Sequence, residues 1–240
     1  KPTYIKGIGG TNRPDIAAAN GANACRTWGG DAKSIRKTSD LAAEHGMYVM
    51  QGIWLPKEAE KYSDEKFKEE MRAFCRATAE EFKDDPNILV WGIGNEVELS
   101  GTNNGAVWGF IDELSRIIKS VDDRHLTSTV IAHNKSALDS IARYAPSLDV
   151  VGINSYGPIL QVKDMVAASD YDGPYMITEW GPTGWWETSS TEWKAPIEQT
   201  SEQKRRVYET RYNEAILGDP RCIGSFVFLW GQKEERTPTW

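Results

Sequence analysis

The chain has 240 residues, 40% of them hydrophobic and 26% charged, which is enough to bury a large core without metals or cross-links. Its 35 acidic and 28 basic residues leave a net charge of −7, which argues against a nucleic-acid partner because phosphate binding needs clustered Lys and Arg. No apolar run approaches a membrane span, so no membrane partner is expected either. The chain begins at Lys1 rather than Met and reads as a processed product or an excised domain, with a secreted or periplasmic location expected.

A first strand is predicted at residues 4–10 (YIKGIGG), followed by a short helical connection around 13–21. The second strand, 23–29 (NACRTWG), leads to a helix over 34–45, and the third, 47–55 (MYVMQGIWL), leads to a longer one. In that longer helix Phe67, Met71, Phe74, Thr78 and Phe82 recur at a three- to four-residue step. The fourth strand, 88–96 (ILVWGIGNE), is the most apolar, yet it runs straight onto Asn95 and Glu96. After it, Val107, Phe110, Ile111, Leu114, Ile117, Ile118 and Val121 form one continuous helical stripe. The fifth strand, 126–133, precedes a helix over 136–144, and the sixth, 149–156 (DVVGINSY), precedes a modest one around 160–169. The seventh, 175–181 (YMITEWG), also meets a glutamate at its end. A long loop over 181–201, a helix over 201–217 and an eighth strand at 223–230 complete the pattern.

Regular alternation of strand and helix predicts an α/β fold with a parallel sheet. Eight such units in this length fit a compact (β/α)₈ barrel, a single catalytic domain over residues 1–240. Ten residues follow the last strand, so the eighth helix is expected to be missing or atypical. An open doubly wound sheet would alternate in the same way, but its phosphate loop is not here: GIGGTN (7–12) lacks the full G-x-G-x-x-G. The three cysteines, Cys25, Cys75 and Cys222, are odd in number and without metal-type spacing, and read as small buried hydrophobes. With His45, His125 and His133 scattered and no H-E-x-x-H, neither a metal nor another cofactor is expected.

In such a barrel the active site lies at the C-terminal ends of the strands. The side chains at those ends are Arg26 and Trp28, Trp54, Asn95 and Glu96, His133 and Asn134, Asn154 and Tyr156, Glu179 and Trp180, and Trp230. Glu96 and Glu179 each end an apolar strand, where an unpaired charge would be costly. Two carboxylates across a small cavity are the equipment of glycoside hydrolysis: one donates a proton to the leaving oxygen, the other attacks the anomeric carbon. Their mutual repulsion separates the two roles. The loop over 181–201 has no helical period and carries Trp185, Trp186 and Trp193, whose aromatic faces suit the stacking of sugar rings. Glu98, Glu187 and Glu192 could contact a sugar, but read first as solvated loop charges.

The joint order of CRTWG, GNE, NSY, TEWG and FLWG along the chain resembles the retaining β-glycosidases of glycoside hydrolase clan A, in the style of β-galactosidase and β-glucuronidase barrels. GNEV is also similar to β-1,3-glucan-remodelling transglycosylases. The resemblance implies that Glu96 is the general acid/base and Glu179 the nucleophile. It further implies that Asn95 binds the sugar 2-hydroxyl, that Arg26 and Tyr156 orient Glu179, and that Trp230 forms the floor under the reacting sugar. The expected partner is therefore an oligo- or polysaccharide, with a β-glucan expected from the tryptophan-rich rim. Three rival readings stand beside this one: a transglycosylase using the same carboxylates, a non-catalytic carbohydrate-binding barrel, and a nucleotide-dependent α/β enzyme.

Overall fold

The computed structural model describes residues 4–231. Eight parallel strands close a barrel in chain order. They are β1 (Ile5–Gly9), β2 (Ala24–Arg26), β3 (Tyr48–Ile53), β4 (Ile88–Asn95), β5 (Leu126–Ile131), β6 (Val150–Asn154), β7 (Tyr175–Trp180) and β8 (Cys222–Val227). Between them lie α1 (Pro14–Ala19), α2 (Ala32–Glu44), α3 (Glu65–Phe82), α4 (Gly105–Lys119), α5 (Lys135–Tyr144), α6 (Val162–Ala167) and α7 (Ser201–Arg211). A π-helical turn, Tyr212–Ile216, extends α7. The stretch after β8, where the eighth helix is expected to be missing or atypical, runs on beyond the described residues.

Side-chain caps set where the helices begin. Asp31 accepts from the Ser34 N–H at 2.8 Å, so α2 starts two residues before the stretch its apolar spacing marks. Asn104 and Asn134 cap α4 and α5 in the same way, and Thr200 with Gln203 forms a capping box at α7. Asn134, expected at the site, is spent on this cap.

Two layers of side chains make the core. Inside the barrel Ile5, Ala24, Met50, Val90, Val130, Val150, Met176 and Phe226 pack together, one from each strand and none from a helix. Outside, the helix stripes cover the opposite face of the strands. Trp91 belongs to that outer layer, where its indole N–H donates to Asp122 at 2.9 Å, and Asp122 also pairs with His125 at 2.7 Å. All three cysteines are buried. Burial pushes the Cys25 and Cys75 thiols up to about 12, which removes them as nucleophiles near neutral pH.

The interior is tight at the β1–β8 seam. A Cβ on Gly7 would sit 2.2 Å from the ring of Phe226. Gly7→Ala should therefore destabilise the fold by about 1–3 kcal/mol through overpacking. Urea unfolding of Gly7→Ala, Phe226→Leu and the double variant tests this. The smaller Leu side chain should recover part of the loss in the double variant, and strictly additive losses would show that the two residues do not collide.

Candidate active site

The polypeptide turns sharply at the end of β4. Gly94 adopts a left-handed φ of +79°, and Glu96 one of +51°, a conformation rare for a residue with a side chain. The Glu96 N–H donates to the Val130 carbonyl at 2.8 Å, which locks the turn against β5. The Glu96 carboxyl then faces the barrel mouth, where Oε1 accepts from Asn154 Nδ2 at 2.9 Å and Oε2 lies 3.4 Å from Lys57 Nζ.

Glu179 lies near the end of β7 and points inward. Three donors converge on its carboxylate. Oε1 accepts from Arg26 at 3.1 Å and from the Trp28 indole at 2.8 Å, and Oε2 accepts from the Tyr156 hydroxyl at 2.8 Å. Burial, and after it the charge of Glu179, push the Tyr156 phenol well above its ordinary value, so the hydroxyl remains a donor.

Arg26 and Asn154 join the two carboxylates. Arg26 is 2% exposed; besides Glu179 it donates to the Thr178 carbonyl at 2.7 Å, to Asn95 Oδ1 at 2.7 Å and to Asn154 Oδ1 at 3.4 Å. Asn154 in turn donates to Asn95 Oδ1 at 3.2 Å. The Asn95 oxygen is thus engaged twice. β2, β4, β6 and β7 all contribute to this one network.

Two hollows flank it. One, of about 390 Å³, is lined by Trp28, Asn95, Glu179, Phe228 and Leu229. The other, of about 330 Å³, has Glu96, Leu99, His133, Tyr156, Trp186 and Glu187 on its walls. His133 Nδ1 is 2.9 Å from Ser155 Oγ, and burial holds its imidazole below the ordinary value against the opposing pull of the Glu187 carboxylate. Trp186, 49% exposed, sets its edge against Tyr156 at 5.4 Å and Trp185 at 5.8 Å. Trp185 therefore backs Trp186 and is not among the residues that line either hollow. Trp54, 54% exposed, stands at the rim beside Gly29.

Two expected members sit elsewhere. Trp180 is 5% exposed and stacks on Tyr212 at 6.0 Å, in the layer between barrel and helices. Strand alternation explains this: Glu179 points in, so its neighbour points out. Trp230 packs against the outer cluster of Ile8, Ala17, Cys25, Ala42, Met47 and Val49 instead of lying beneath Glu179. β8 ends at Val227, three residues short of the predicted end, so Phe228 is the first aromatic at the mouth. Its ring meets Trp28 at 5.7 Å and Tyr156 at 6.2 Å.

The sequence reading also missed Lys57 and what Glu98 and Glu187 hold. Glu98 is 4% exposed rather than solvated. Glu187 Oε2 accepts from the backbone N–H groups of Gly157 at 2.9 Å and Gly184 at 3.1 Å, tying two loops together. Alternation counted from Phe226 would have found Phe228. No local pattern marks the other three, because each depends on a partner distant in sequence.

No protein-family model matches the chain. Mannan endo-1,4-β-mannosidase F of Aspergillus clavatus is 28% identical over 104 residues, which is 43% of this chain and 24% of that protein. Mannan endo-1,4-β-mannosidase 8 of Oryza sativa subsp. japonica is 30% identical over 114 residues, 42% of this chain and 28% of that protein. The chain thus spans about a quarter of the length of these relatives. Among solved structures, a GH2 β-galacturonidase from Eisenbergiella tayi superposes with a TM-score of 0.72 at 19% identity, covering 95% of this chain and 43% of that one. The β-glucuronidase of Ruminococcus gnavus gives 0.72 at 16%, covering 97% and 44%. Eight parallel strands in closed order, matched in fold along nearly the whole chain by glycosidase barrels, make this chain a (β/α)₈ barrel, and part of its sequence is similar to mannan endo-1,4-β-mannosidases.

Proposed function

We propose that the chain is a retaining β-glycosidase with Glu179 as nucleophile and Glu96 as acid/base. The observation that carries this reading is the contrast between the two carboxyls. Glu179 is met by three donors from Arg26, Trp28 and Tyr156, the setting of a group that reacts as an anion. Glu96 is held by Asn154 and Lys57 and opens on the second hollow, where a leaving group would stand.

The reacting sugar fits the hollow over Glu179, with Trp28 and Phe228 as its aromatic walls. Glu179 attacks the anomeric carbon while Glu96 protonates the departing glycosidic oxygen, giving a glycosyl-enzyme ester and a free alcohol. Glu96, now ionised, takes a proton from water as that water attacks the same carbon, and Glu179 is released. In this reading the Asn95 amide nitrogen, whose oxygen is already engaged by Arg26 and Asn154, donates to the 2-hydroxyl of the sugar. The chemistry uses only these side chains.

The reacting sugar is a neutral hexose in this reading. A uronate carboxylate calls for a cation, and none lines the Glu179 hollow among the described residues. The nearest cation, Arg26, is buried with its donors already shared among four acceptors. The names of the sequence relatives, mannan endo-1,4-β-mannosidases, favour β-mannan over β-glucan as the glycan in this reading.

Purified protein should therefore release reducing ends from β-mannan and cleave aryl β-mannosides or β-glucosides in preference to aryl β-glucuronides. Product analysis by mass spectrometry checks this, and a preference for the glucuronide would overturn the neutral-sugar assignment.

Azide separates the two carboxylates by their jobs. Glu179→Gly should lose hydrolysis, and added azide, entering from the opposite face, should give the α-glycosyl azide. Glu96→Ala should lose polysaccharide cleavage yet still form the intermediate from a dinitrophenyl glycoside, whose leaving group needs no proton. Azide should then give the β-anomer. The reverse pattern of anomers by NMR would exchange the two roles.

Tyr156→Phe removes one charge-assisted hydrogen bond to Glu179, a loss of about 1.5–3 kcal/mol. If that bond matters at the transition state, kcat/KM should fall about ten- to a hundredfold. A change smaller than about twofold would show that Tyr156 does not support the nucleophile.

A further inference from the structure

Two residues after Glu96 the chain forms a 3₁₀ turn, Val97–Ser100, and inside it the Glu98 side chain is 4% exposed. Its Oε1 accepts from the Ala132 N–H at 2.7 Å, while its Oε2 meets no hydrogen-bond partner among the described residues. The Glu96 N–H binds the Val130 carbonyl two residues earlier on the same stretch. The turn that carries Glu96 is thus fastened to the end of β5 at two points, one backbone and one side chain, and the residue after Ala132 is His133 on the wall of the same hollow.

We infer that Glu98 is a positioning residue for the acid/base: it braces the Glu96 turn against the end of β5, and so sets Glu96 and His133 relative to each other across the leaving-group hollow. This rests on the reading of Glu96 as the acid/base. A carboxyl is a poor choice for a mere filler at this depth, since it costs free energy to bury and one oxygen gains no bond. A chain needing only packing would place an apolar residue there.

The brace works best as the neutral acid. Burial pushes Glu98 up to about 7, with the nearby Glu96 carboxylate adding to the rise and Lys57 and the backbone N–H groups opposing it. The charged groups that act on it among the described residues are Glu96 on its own turn and Lys57 from the segment after β3. Ionisation would set a second anion behind Glu96 and compete for Lys57. In the unfolded chain the same group ionises near its ordinary 4.5. The folded state therefore holds the proton between these two values, and its contribution to stability falls as pH rises from about 4.5 to 7 and is level above that.

Glu98→Gln and Glu98→Ala test the inference. Gln keeps the acceptor for Ala132 without ionising, and should retain activity within about twofold at pH 6, where the native side chain is still neutral. Ala removes the brace. It should lower kcat/KM for a substrate with a poor leaving group on the order of tenfold or more, because misplaced catalytic groups cost at least that much. The first step on a dinitrophenyl glycoside, which needs no proton, should change little. Two readouts need no activity. A protonated-carboxyl infrared band should titrate near pH 7 in the native protein and be missing in Glu98→Gln, and the fall in Tm between pH 5 and 8 should be smaller in that variant.

Equal losses on both classes of substrate, or none, would reduce Glu98 to a structural part of the turn. Absence of the infrared band in the native protein would remove the neutral brace. If the native protein cleaves no glycoside, the functional reading fails and the positioning role with it; if the native protein is active and the variants match it, only this inference fails.

Discussion

A guanidinium closed off from water at the mouth of a barrel has to find its acceptors within the protein. Arg26, at the end of the three-residue β2, reaches across to a backbone carbonyl and three side-chain oxygens contributed by β4, β6 and β7. Burial alone would pull its ionised form down, and the carboxylates of Glu179 and Glu96 oppose that pull. The arrangement is therefore mutual. The cation is tolerable because the oxygens are there, and Glu179, Asn95 and Asn154 are held in place because the cation is. Trp28 lies alongside, with its ring 5.1 Å from the guanidinium carbon and its indole N–H on the same carboxylate.

This network divides the barrel along its axis. Toward the bottom one apolar side chain from each strand fills the interior, and packing density alone is enough to hold it. Toward the top the interior turns polar, and Arg26, Asn95, Asn154 and Glu179 are held there by specific partners. The strained backbone at Glu96 belongs to the polar half, where the carbonyl of Val130 and the turn following it hold the unusual conformation.

That division also governs how much of the molecule is legible in the sequence. The apolar half announces itself, because strands such as 88–95 and the stripe on α4 are local patterns with fixed periods. Strand ends are less plain. β8 reads as extending to residue 230 because Phe228, Leu229 and Trp230 continue an apolar run, although the sheet pairing stops at Val227. Counting every residue at a strand end as a member of the site brought in Trp180, which alternation sends to the helix layer. Glu98 and Glu187 look alike in the sequence, each an acid in a loop. Only the approach of Ala132 to one and of Gly157 and Gly184 to the other shows what they hold.

Glu187 has a consequence of its own for how such a barrel can change over time. The loop after β7 is long and irregular, the kind of segment in which insertions and deletions accumulate most freely. Its start, however, is fastened by the Glu187 carboxylate, which grips the N–H of Gly157 after β6 and the N–H of Gly184 in its own first turn, and by Arg211, which donates to the Gly181 carbonyl and to Thr183 Oγ1. Changes in length beyond Glu187 leave both of its contacts in place, and Trp186, the residue before it, keeps its seat against Tyr156. Tolerance of change is thus greatest in residues 188–200, downstream of a fixed anchor, and a new surface grafted there inherits a ready-made mooring.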